Sequence, residues 1–425
     1  MTVTLPNDWL RIYAEADSDA PAVVFADTTL SYGELDRRAD RRALRLAAGG
    51  VGPGILVPID ATLNPESIVE LMGVDRAGGV AVPAGATLIG ANQTVDDDAS
   101  VVVPTSGSSG TPRGVLLTKQ NIAAAIDASQ RRLGNGPADR WLLTLPLSHV
   151  GGLSIVWRSL AAGGSIHLLP KFETDAAIAA LRDRAVTMAS LVPTMLHRIL
   201  ERDPGPYSGL AAILLGGAPA SAELVQRALF AELPVLQTYG MTETCSQVAT
   251  VEPGTAIESL GTVGPPLSAV NLSIDDGEIL VDGPAVWPGY LGEPPRRGPH
   301  RTGDMGYLDD HGRLVVTGRK DDVIITGGEN VHPSTIEAVI ASLPMAGQAA
   351  VVGVEDDEWG HVVVAVVEAE SDQLPEIERV VRLRVARHEV PRSWVAVREL
   401  PLLANGKPDR AASLVIAETA VRQPG

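Results

Sequence analysis

The chain has 425 residues, of which 45% are hydrophobic, so it can bury a large core and is long enough for two or three domains. Its formal net charge of −18 argues against nucleic acid as a partner, because the phosphate backbone would be repelled. The single cysteine, Cys245, excludes an internal disulfide and suits a reducing cytoplasm. The first residues form no basic and apolar leader, and no apolar run approaches the thickness of a bilayer. We therefore expect a cytoplasmic protein without a membrane span.

Helices and strands alternate along most of the chain. Ser31 stands three residues before Glu34, the spacing of a helix-capping box, and introduces the first predicted helix. Further helices are predicted at 65–76, 121–132, 153–162, 174–183, 193–202 and from Ala222 onward. Strands are predicted at 51–59, 101–103, 115–117, 141–146, 165–169, 187–191 and 211–215, and residues 84–100 as a connecting loop. This alternation predicts an α/β fold with helix-covered sheets.

A segment rich in glycine and hydroxyl side chains separates the two apolar strands 101–103 and 115–117. Its three glycines free the backbone to wrap around a ligand, and the hydroxyls of Thr105, Ser106, Ser108 and Ser109 can donate to phosphate oxygens. Arg113 adds positive charge. The flanking strands argue against a plain linker, and no Gly-Lys-Ser/Thr follows as in a Walker loop. The segment therefore predicts a phosphate-binding loop of another type.

Two later strands end in residues suited to a ligand. Gly216 and Gly217 follow the buried strand 211–215, where a flat ring could approach the backbone, although a plain tight turn is an equal alternative. The strand that begins at Val235 presents Thr242 and Glu243 at its end. Both features are typical of nucleotide sites in α/β sheets.

The predicted helix 153–162 carries an unexpected charge. Ser154 and Arg158 lie one turn apart on one face of an otherwise apolar helix, and His149 precedes its start. A buried arginine requires an anionic partner, so we expect an anion near this face. For His149 taken alone, a structural role is the competing interpretation.

Five motifs occur in the order and approximate spacing of the adenylate-forming superfamily, which comprises acyl-CoA synthetases, peptide-synthetase adenylation domains and luciferases. They are Thr105–Gly114, Tyr239-Gly-Met-Thr-Glu243, Arg301-Thr-Gly-Asp304, Gly318-Arg-Lys-Asp321 and Asn405-Gly-Lys407. The resemblance runs from about Tyr32 to Arg410, nearly the whole chain. It implies two half-reactions: a carboxylate attacks the α-phosphate of Mg²⁺-ATP to give an acyl-adenylate and pyrophosphate, and the thiol of CoA then displaces AMP. The implied partners are therefore a small-molecule acid, ATP and CoA.

The resemblance also implies a role for each motif. The ATP-binding residues would be Thr105, Ser106, Gly107, Ser108, Ser109, Gly110, Thr111, Arg113, Gly216, Gly217, Ala218, Tyr239, Gly240, Met241, Thr242, Asp304 and Arg319. Glu243 would bind Mg²⁺, Asp304 would accept the ribose hydroxyls, and Arg319 would reach the ribose or the α-phosphate. Lys407 would bridge the incoming carboxylate and the α-phosphate. The chain has only four lysines, at 119, 171, 320 and 407, which favours a specific role for Lys407 over a solvated surface position.

Beyond Gly318 the pattern changes to helices at 331–340 and 375–388 and strands at 349–354 and 362–368. The resemblance implies a large N-terminal ATP- and acid-binding domain of helix-covered β-sheets, residues 1–320, and a small mobile α+β lid, residues 321–425, that carries Lys407. The lid would pivot at Asp321 after adenylation and bring Gly327, Gly328 and Glu329 to the CoA side. The oligomeric state stays open, a homodimer included.

Within the superfamily, the stretches 146–159 and 239–248 resemble the o-succinylbenzoate:CoA ligases of menaquinone biosynthesis. That acid has a second carboxylate, which His149, Ser154 and Arg158 would hold, with Gly264 lining the ring. Other aryl- or acyl-CoA synthetases, an adenylation enzyme that loads a carrier protein, and a nucleotide-binding regulator without chemistry are the alternatives. Two departures stand out: several tens of residues fewer precede the phosphate loop, and Arg113 stands where lysine is frequent.

Overall fold

The computed structural model of the chain describes residues 8–83, 95, 98–106, 112–343, 345–402 and 408–422. These residues form two compact units, one drawn from 1–217, 227–273 and 280–300 and the other from 218–226, 274–279 and 301–425. The α/β class and the smaller C-terminal part with its own sheet agree with the sequence-based expectation. The domain boundary at 320/321 stays a prediction.

The helices share the amphipathic or wholly buried patterns expected of a helix-covered sheet. Their bounds are α1 Trp9–Ala16, α2 Tyr32–Ala48, α3 Pro65–Arg76, α4 Lys119–Leu133, α5 Val150–Ala162, α6 Thr174–Arg182, α7 Pro193–Arg202, α8 Ala222–Phe230, α9 Pro333–Ala341, α10 Leu374–Arg384 and α11 Arg410–Arg422.

The strands are mostly short and rich in valine, isoleucine and leucine. The first twelve are β1 Pro21–Phe25, β2 Thr28–Ser31, β3 Leu56–Ile59, β4 Val80–Pro83, β5 Ala99–Ser106, β6 Pro112–Thr118, β7 Arg140–Leu143, β8 Ser165–Leu168, β9 Met188–Leu191, β10 Ala212–Leu215, β11 Val235–Met241 and β12 Ser246–Thr250. The rest are β13 Asn271–Asp275, β14 Glu278–Asp282, β15 Gly289–Tyr290, β16 His300–Leu308, β17 Leu314–Arg319, β18 Ile324–Thr326, β19 Glu329–Val331, β20 Ala349–Asp356, β21 Gly360–Glu368 and β22 Ser393–Val397.

The first unit contains two described sheets. One has the strand order β12-β11-β10-β9-β7-β8-β1-β2, with parallel pairing from β11 through β1 and an antiparallel strand at each edge. The other has the order β15-β6-β5-β4-β3. Apolar side chains of the strands and of α2, α3, α4 and α5 form one continuous buried core. Parallel strands place their carboxyl ends at one edge, where ligands bind in such sheets.

The second unit is built around a sheet of order β19-β18-β21-β20, to which β22 adds in parallel beside β21. The helices α9 and α10 pack on one side of this sheet, and α11 packs on β20, so that both faces are covered. Strands β13, β14, β16 and β17 form a further four-stranded sheet. The predicted strands at 349–354 and 362–368 are confirmed, each slightly longer than expected.

Local signals gave several element bounds correctly. The helix 65–76 has the predicted ends, with Asn64 as its N-cap, and Ser31 Oγ accepts the N–H of Glu34 as the capping pattern requires. Other expectations were wrong in detail: the predicted strand 51–59 forms only at Leu56–Ile59, the predicted strand 141–146 ends at Leu143, and the helix predicted at 331–340 begins at Pro333. Helix α5 begins at Val150 rather than 153, α10 ends at Arg384 rather than 388, and the segment expected to be a loop up to residue 100 already contains the start of β5 at Ala99. Pairing with β6, where Ala99 lies opposite Thr118, sets the start of β5, and the local sequence does not encode that pairing. The helix ends differ by a few residues, as is common where no side chain caps the helix.

Candidate active site

The arms of the predicted phosphate loop form an antiparallel hairpin. Strand β5 pairs with β6, and Thr105 lies opposite Arg113, with the Thr105 hydroxyl donating to the Arg113 carbonyl at 3.3 Å. The arms are anchored by fully buried valines and leucines, among them Val103 and Val115. The expected phosphate ligands at Gly107, Ser108, Ser109, Gly110 and Thr111, and the side chain of Ser106, lie outside the described residues.

Arg113 is held in place by two neighbours from one distant segment. Its guanidinium makes a bidentate ion pair with Glu293, with the closest N···O distance 2.7 Å, and lies 3.4 Å from the ring centroid of Tyr290. Guanidinium groups stack well on aromatic faces, whereas a lysine ammonium would lack the planar surface. An arginine at position 113 can therefore make both contacts, the bidentate ion pair with Glu293 and the stacking on Tyr290.

The carboxyl ends of β10 and β11 lie side by side, because these strands pair in parallel with Leu215 opposite Gln237. Gly216 and Gly217 follow the first strand, and Tyr239 and Gly240 end the second. A Cβ on Gly216 would come within 2.8 Å of Thr238 Cγ2, and one on Gly240 would overlap the carbonyl oxygen of Ser246. Close strand packing thus requires both glycines. The binding of an adenine ring beside Tyr239 and the exposed Ala218 stays a prediction.

Glu243 lies just beyond β11 in a single 3₁₀ turn, Thr242–Thr244, which the Thr244 hydroxyl closes by accepting the N–H of Met241. Its carboxylate oxygen Oε1 accepts a hydrogen bond of 2.8 Å from the hydroxyl of Tyr290, and its carbonyl accepts the N–H of Trp287, also at 2.8 Å. The second oxygen, Oε2, makes no hydrogen bond within the described part of the chain. The carboxylate is therefore oriented by Oε1, and Oε2 is available to bind a cation.

The donor set around Glu243 fits a Mg²⁺ ion delivered with ATP. Among the described residues, no group of three or more His, Cys, Asp or Glu side chains could enclose a metal. Mg²⁺ usually keeps several waters and takes one or two carboxylates together with substrate phosphates. A single oriented carboxylate such as Glu243 meets that requirement.

Arg158 is buried without an acidic partner among the described residues. It is 3% exposed, and its Nε donates to Ser129 Oγ at 3.0 Å while Nη2 donates to Gln247 Oε1 at 2.8 Å and to Ser246 Oγ at 3.3 Å. Burial lowers the pKa of its guanidinium to about 10. The other terminal nitrogen, Nη1, makes no hydrogen bond in the described part of the chain. The described residues therefore do not supply the expected anionic partner. This is the arrangement expected if the anion belongs to a substrate.

Two other predicted acid-binding residues lie on the same helix. His149 is the N-cap of α5, with extended backbone angles and an exposed side chain. Ser154 is fully buried, and its hydroxyl has no hydrogen-bond partner among the described residues. Gly264 has φ +78, and a Cβ there would overlap the backbone of Thr250 and Val251, so it allows its loop to lie directly against the end of β12.

In the second unit, Asp304 and Arg319 face each other across the antiparallel strands β16 and β17. Arg319 Nη1 lies 3.0 Å from Asp304 Oδ1, and Asp304 is 9% exposed. The carboxylate and guanidinium proposed for the ribose and the α-phosphate are therefore adjacent.

The remaining predicted residues of this unit lie in turns. Asp321 is exposed and lies two residues after the end of β17. The pair Gly327 and Gly328 forms the turn between β18 and β19, followed by the exposed Glu329. A Cβ on Gly327 would contact the ring of Trp359 at 2.8 Å. Lys407 lies outside the described residues.

Residues 10–92 and 89–291 match the family model described as AMP-binding enzyme, and residues 335–407 match the AMP-binding enzyme C-terminal domain. The chain belongs to the AMP-binding enzyme family. In this family member, the two matched regions include the phosphate-loop arms, Glu243 and the C-terminal lysine segment. The resemblance inferred from the five motifs is confirmed.

Two relatives of this AMP-binding enzyme are similar to it over nearly their whole length. It is 40% identical to a 2-succinylbenzoate–CoA ligase from Bacillus licheniformis, across 96% of this chain and 99% of that protein. It superposes on o-succinylbenzoate CoA synthetase from Bacillus subtilis in complex with the acyl-adenylate intermediate OSB-AMP with a TM-score of 0.86 at 30% identity, covering 95% and 97% of the two chains. The same B. subtilis enzyme in complex with ATP and magnesium ion gives a TM-score of 0.84 at 30% identity, covering 95% and 98%.

Sequence reasoning missed several residues that the AMP-binding enzyme places at this site. Tyr290 donates a hydrogen bond to Glu243, and Glu293 makes an ion pair with Arg113. Ser129 and Gln247 accept hydrogen bonds from Arg158. Tyr290 and Glu293 lie in a region of glycine and proline with no periodic pattern, and Ser129 lies within an ordinary helix. Only their three-dimensional neighbours distinguish them.

Proposed function

We propose that this enzyme is an ATP-dependent acid:CoA ligase that converts o-succinylbenzoate, ATP and CoA to o-succinylbenzoyl-CoA, AMP and pyrophosphate through an acyl-adenylate. The observation that carries the proposal is the similarity to a 2-succinylbenzoate–CoA ligase along 96% of this chain and 99% of the relative. The fold agrees, with a TM-score of 0.86 to a synthetase that holds OSB-AMP. The product would enter menaquinone biosynthesis.

The adenylation step brings a carboxylate to a polyanionic triphosphate, so positioning and charge neutralisation are the main tasks of the protein. The hairpin of β5 and β6 would hold the β- and γ-phosphates, with Arg113 at its base. Glu243 would hold Mg²⁺, which neutralises triphosphate charge when bound. Asp304 and Arg319 would bind the ribose and the α-phosphate, and Lys407 would bridge the acid and the α-phosphate in the transition state.

The acid assignment draws support from Arg158. A guanidinium that is 3% exposed and bonded only to neutral groups retains an unbalanced charge. The benzoate carboxylate of o-succinylbenzoate would balance it through Nη1, with the Ser154 hydroxyl and His149 on the same helix. A fatty acid has no second carboxylate and would leave this charge unpaired.

The CoA step and the cellular location follow from the same proposal. Asp321 would be the pivot between lid orientations, at the boundary 320/321, and Gly327, Gly328 and Glu329 would line the path of the thiol arm. A cytoplasmic location suits the buried, unpaired Cys245. No helix in the described part of the chain is long and apolar enough to cross a bilayer.

A pyrophosphate-release assay tests the proposal with o-succinylbenzoate, benzoate, succinate and a medium-chain fatty acid, each with and without CoA. We expect o-succinylbenzoate to give the highest kcat/KM and a CoA thioester as the product. Pyrophosphate release with another acid of the panel alone would assign the enzyme to a different acyl-CoA synthetase class. Release without thioester formation from CoA would favour loading of a carrier protein.

A further inference from the structure

The segment that contains Tyr290 joins two parts of the proposed ATP site. Its short strand β15 pairs antiparallel with β6, the return arm of the phosphate loop, so that Tyr290 lies opposite Val115, and Leu291 N donates to Gly114 O at 2.8 Å. Three residues earlier, Trp287 N donates to the carbonyl of Glu243. The segment is therefore hydrogen-bonded through its backbone to both the loop arm and the Glu243 turn.

The ring of Tyr290 is fixed on two sides. The guanidinium of Arg113 lies 3.4 Å from its centroid, and the indole of Trp287 lies 4.6 Å away, centroid to centroid. Trp287 is only 5% exposed and belongs to the main core. Stacking of this kind restricts the rotation about the Cα–Cβ bond that would otherwise carry the ring, and with it the phenol hydroxyl, away from Glu243.

The fixed hydroxyl donates to one oxygen of the proposed Mg²⁺ ligand. Its distance to Glu243 Oε1 is 2.8 Å, a normal length for an O–H···O hydrogen bond. A glutamate side chain has three rotatable bonds, so a free carboxylate would sample many positions, and fixing it before the metal arrives removes an entropic cost from binding. Groups that orient a metal-binding carboxylate commonly affect metal affinity about 10- to 100-fold.

We propose that Tyr290 is a positioning residue for the metal-nucleotide complex: its hydroxyl orients the Glu243 carboxylate towards Mg²⁺, and its ring places Arg113 beside the same phosphates. The inference rests on the proposed ATP-dependent function. It adds a residue that no motif of the sequence indicated. It also gives a reason for arginine rather than lysine at position 113, since only a planar guanidinium stacks on the ring.

Tyr290→Phe tests the inference because it removes the hydroxyl and keeps the stacked ring. The measurement is the affinity for ATP by titration calorimetry, once with Mg²⁺ and once with a chelator, so that the metal-dependent gain is obtained without turnover. We expect that gain to fall about 10-fold or more, as for loss of a hydrogen bond to a charged group. The affinity measured with the chelator should stay within about 2-fold, because the phenol does not contact the nucleotide in this scheme.

Tyr207→Phe is the matched control. Tyr207 is 1% exposed, and its hydroxyl donates to the carbonyl of Asp203 at 3.2 Å, so this variant also loses a hydroxyl from a hydrogen-bonded, packed ring. It should lower the melting temperature without changing the metal-dependent gain. A second test places Tyr290→Phe in a Glu243→Gln background, where it should have no further effect on that gain, because the residue acts through Glu243.

The outcomes separate the inference from the function on which it rests. If the wild type binds ATP with a metal-dependent gain and Tyr290→Phe retains that gain, Tyr290 is only a packing residue and the inference is overturned. The same holds if the two substitutions are additive. If the wild type itself shows no nucleotide binding, the proposed function fails instead.

Discussion

Replacing Arg158 by methionine would remove a buried charge while keeping an unbranched side chain of similar reach. In the folded protein the guanidinium is 3% exposed and its pKa is lowered to about 10, because burial penalises the charged form. At 1.36 kcal/mol per pKa unit, keeping it charged at neutral pH costs on the order of 3 kcal/mol when no carboxylate is bound. A bound carboxylate would offset that cost.

The stability and the affinity should therefore respond differently to Arg158→Met. Ser129 Oγ already donates to Gln247 Oε1 at 2.6 Å, so these two partners stay hydrogen-bonded after the arginine is lost. The three hydrogen bonds that Arg158 loses oppose the relief of that burial cost, so we expect the free energy of unfolding of the ligand-free enzyme to change by no more than about 1 kcal/mol. The KM for o-succinylbenzoate should rise about 10- to 100-fold, from the roughly 1.5 to 3 kcal/mol of a charge-assisted contact, with little effect on the KM for ATP.

The deciding assay compares o-succinylbenzoate with an analogue in which hydrogen replaces the benzoate carboxylate. The wild type should discriminate strongly between them, and Arg158→Met should not. Arg76→Met is the control, because Arg76 is 10% exposed in its side chain but ion-paired with Asp8, Asp36 and Asp40, so its loss should lower stability and spare selectivity. If wild type and Arg158→Met treat the two acids alike, the anion-site reasoning is refuted, and the acid assignment loses its structural support.

Three further predictions concern other parts of the chain. Lys407→Ala should raise the activation free energy of acyl-adenylate formation by several kcal/mol and largely spare thioester formation from supplied adenylate. Equal losses of rate in both half-reactions would exclude the proposed role. Asp321→Pro should do the reverse, since proline fixes φ at the pivot, and normal thioester formation by that variant would place the pivot elsewhere. Burial and the charge of Arg140 lower the pKa of His167, and its Nδ1 has no hydrogen-bond partner among the described residues. As the pH falls below about 6.5, the unfolded chain therefore binds a proton at His167 before the folded protein does. Stability should therefore fall with decreasing pH in that range, and His167→Gln should reduce the slope measured by chemical unfolding; an unchanged slope would contradict this.

Features that depend on neighbouring residues could be predicted from the amino-acid sequence. Apolar runs at 101–103 and 115–117 were sufficient to predict the arms of the phosphate-loop hairpin, and the helix 65–76 could be read from its cap and its proline. The five motifs were sufficient for the family, because each combines a local backbone shape with a few required side chains. Glu243 was correctly expected to follow a strand.

Tertiary structure decided what depends on contacts between distant segments. Tyr290 lies 47 residues from Glu243 along the chain, and Glu293 lies 180 residues from Arg113, yet both pairs are hydrogen-bonded. The neutral partners of Arg158 come from α4 and β12, so the helix pattern could show that an arginine was buried but not what surrounds it. Local periodicity reports which face of an element is buried, whereas strand order and long-range packing determine which side chains meet there.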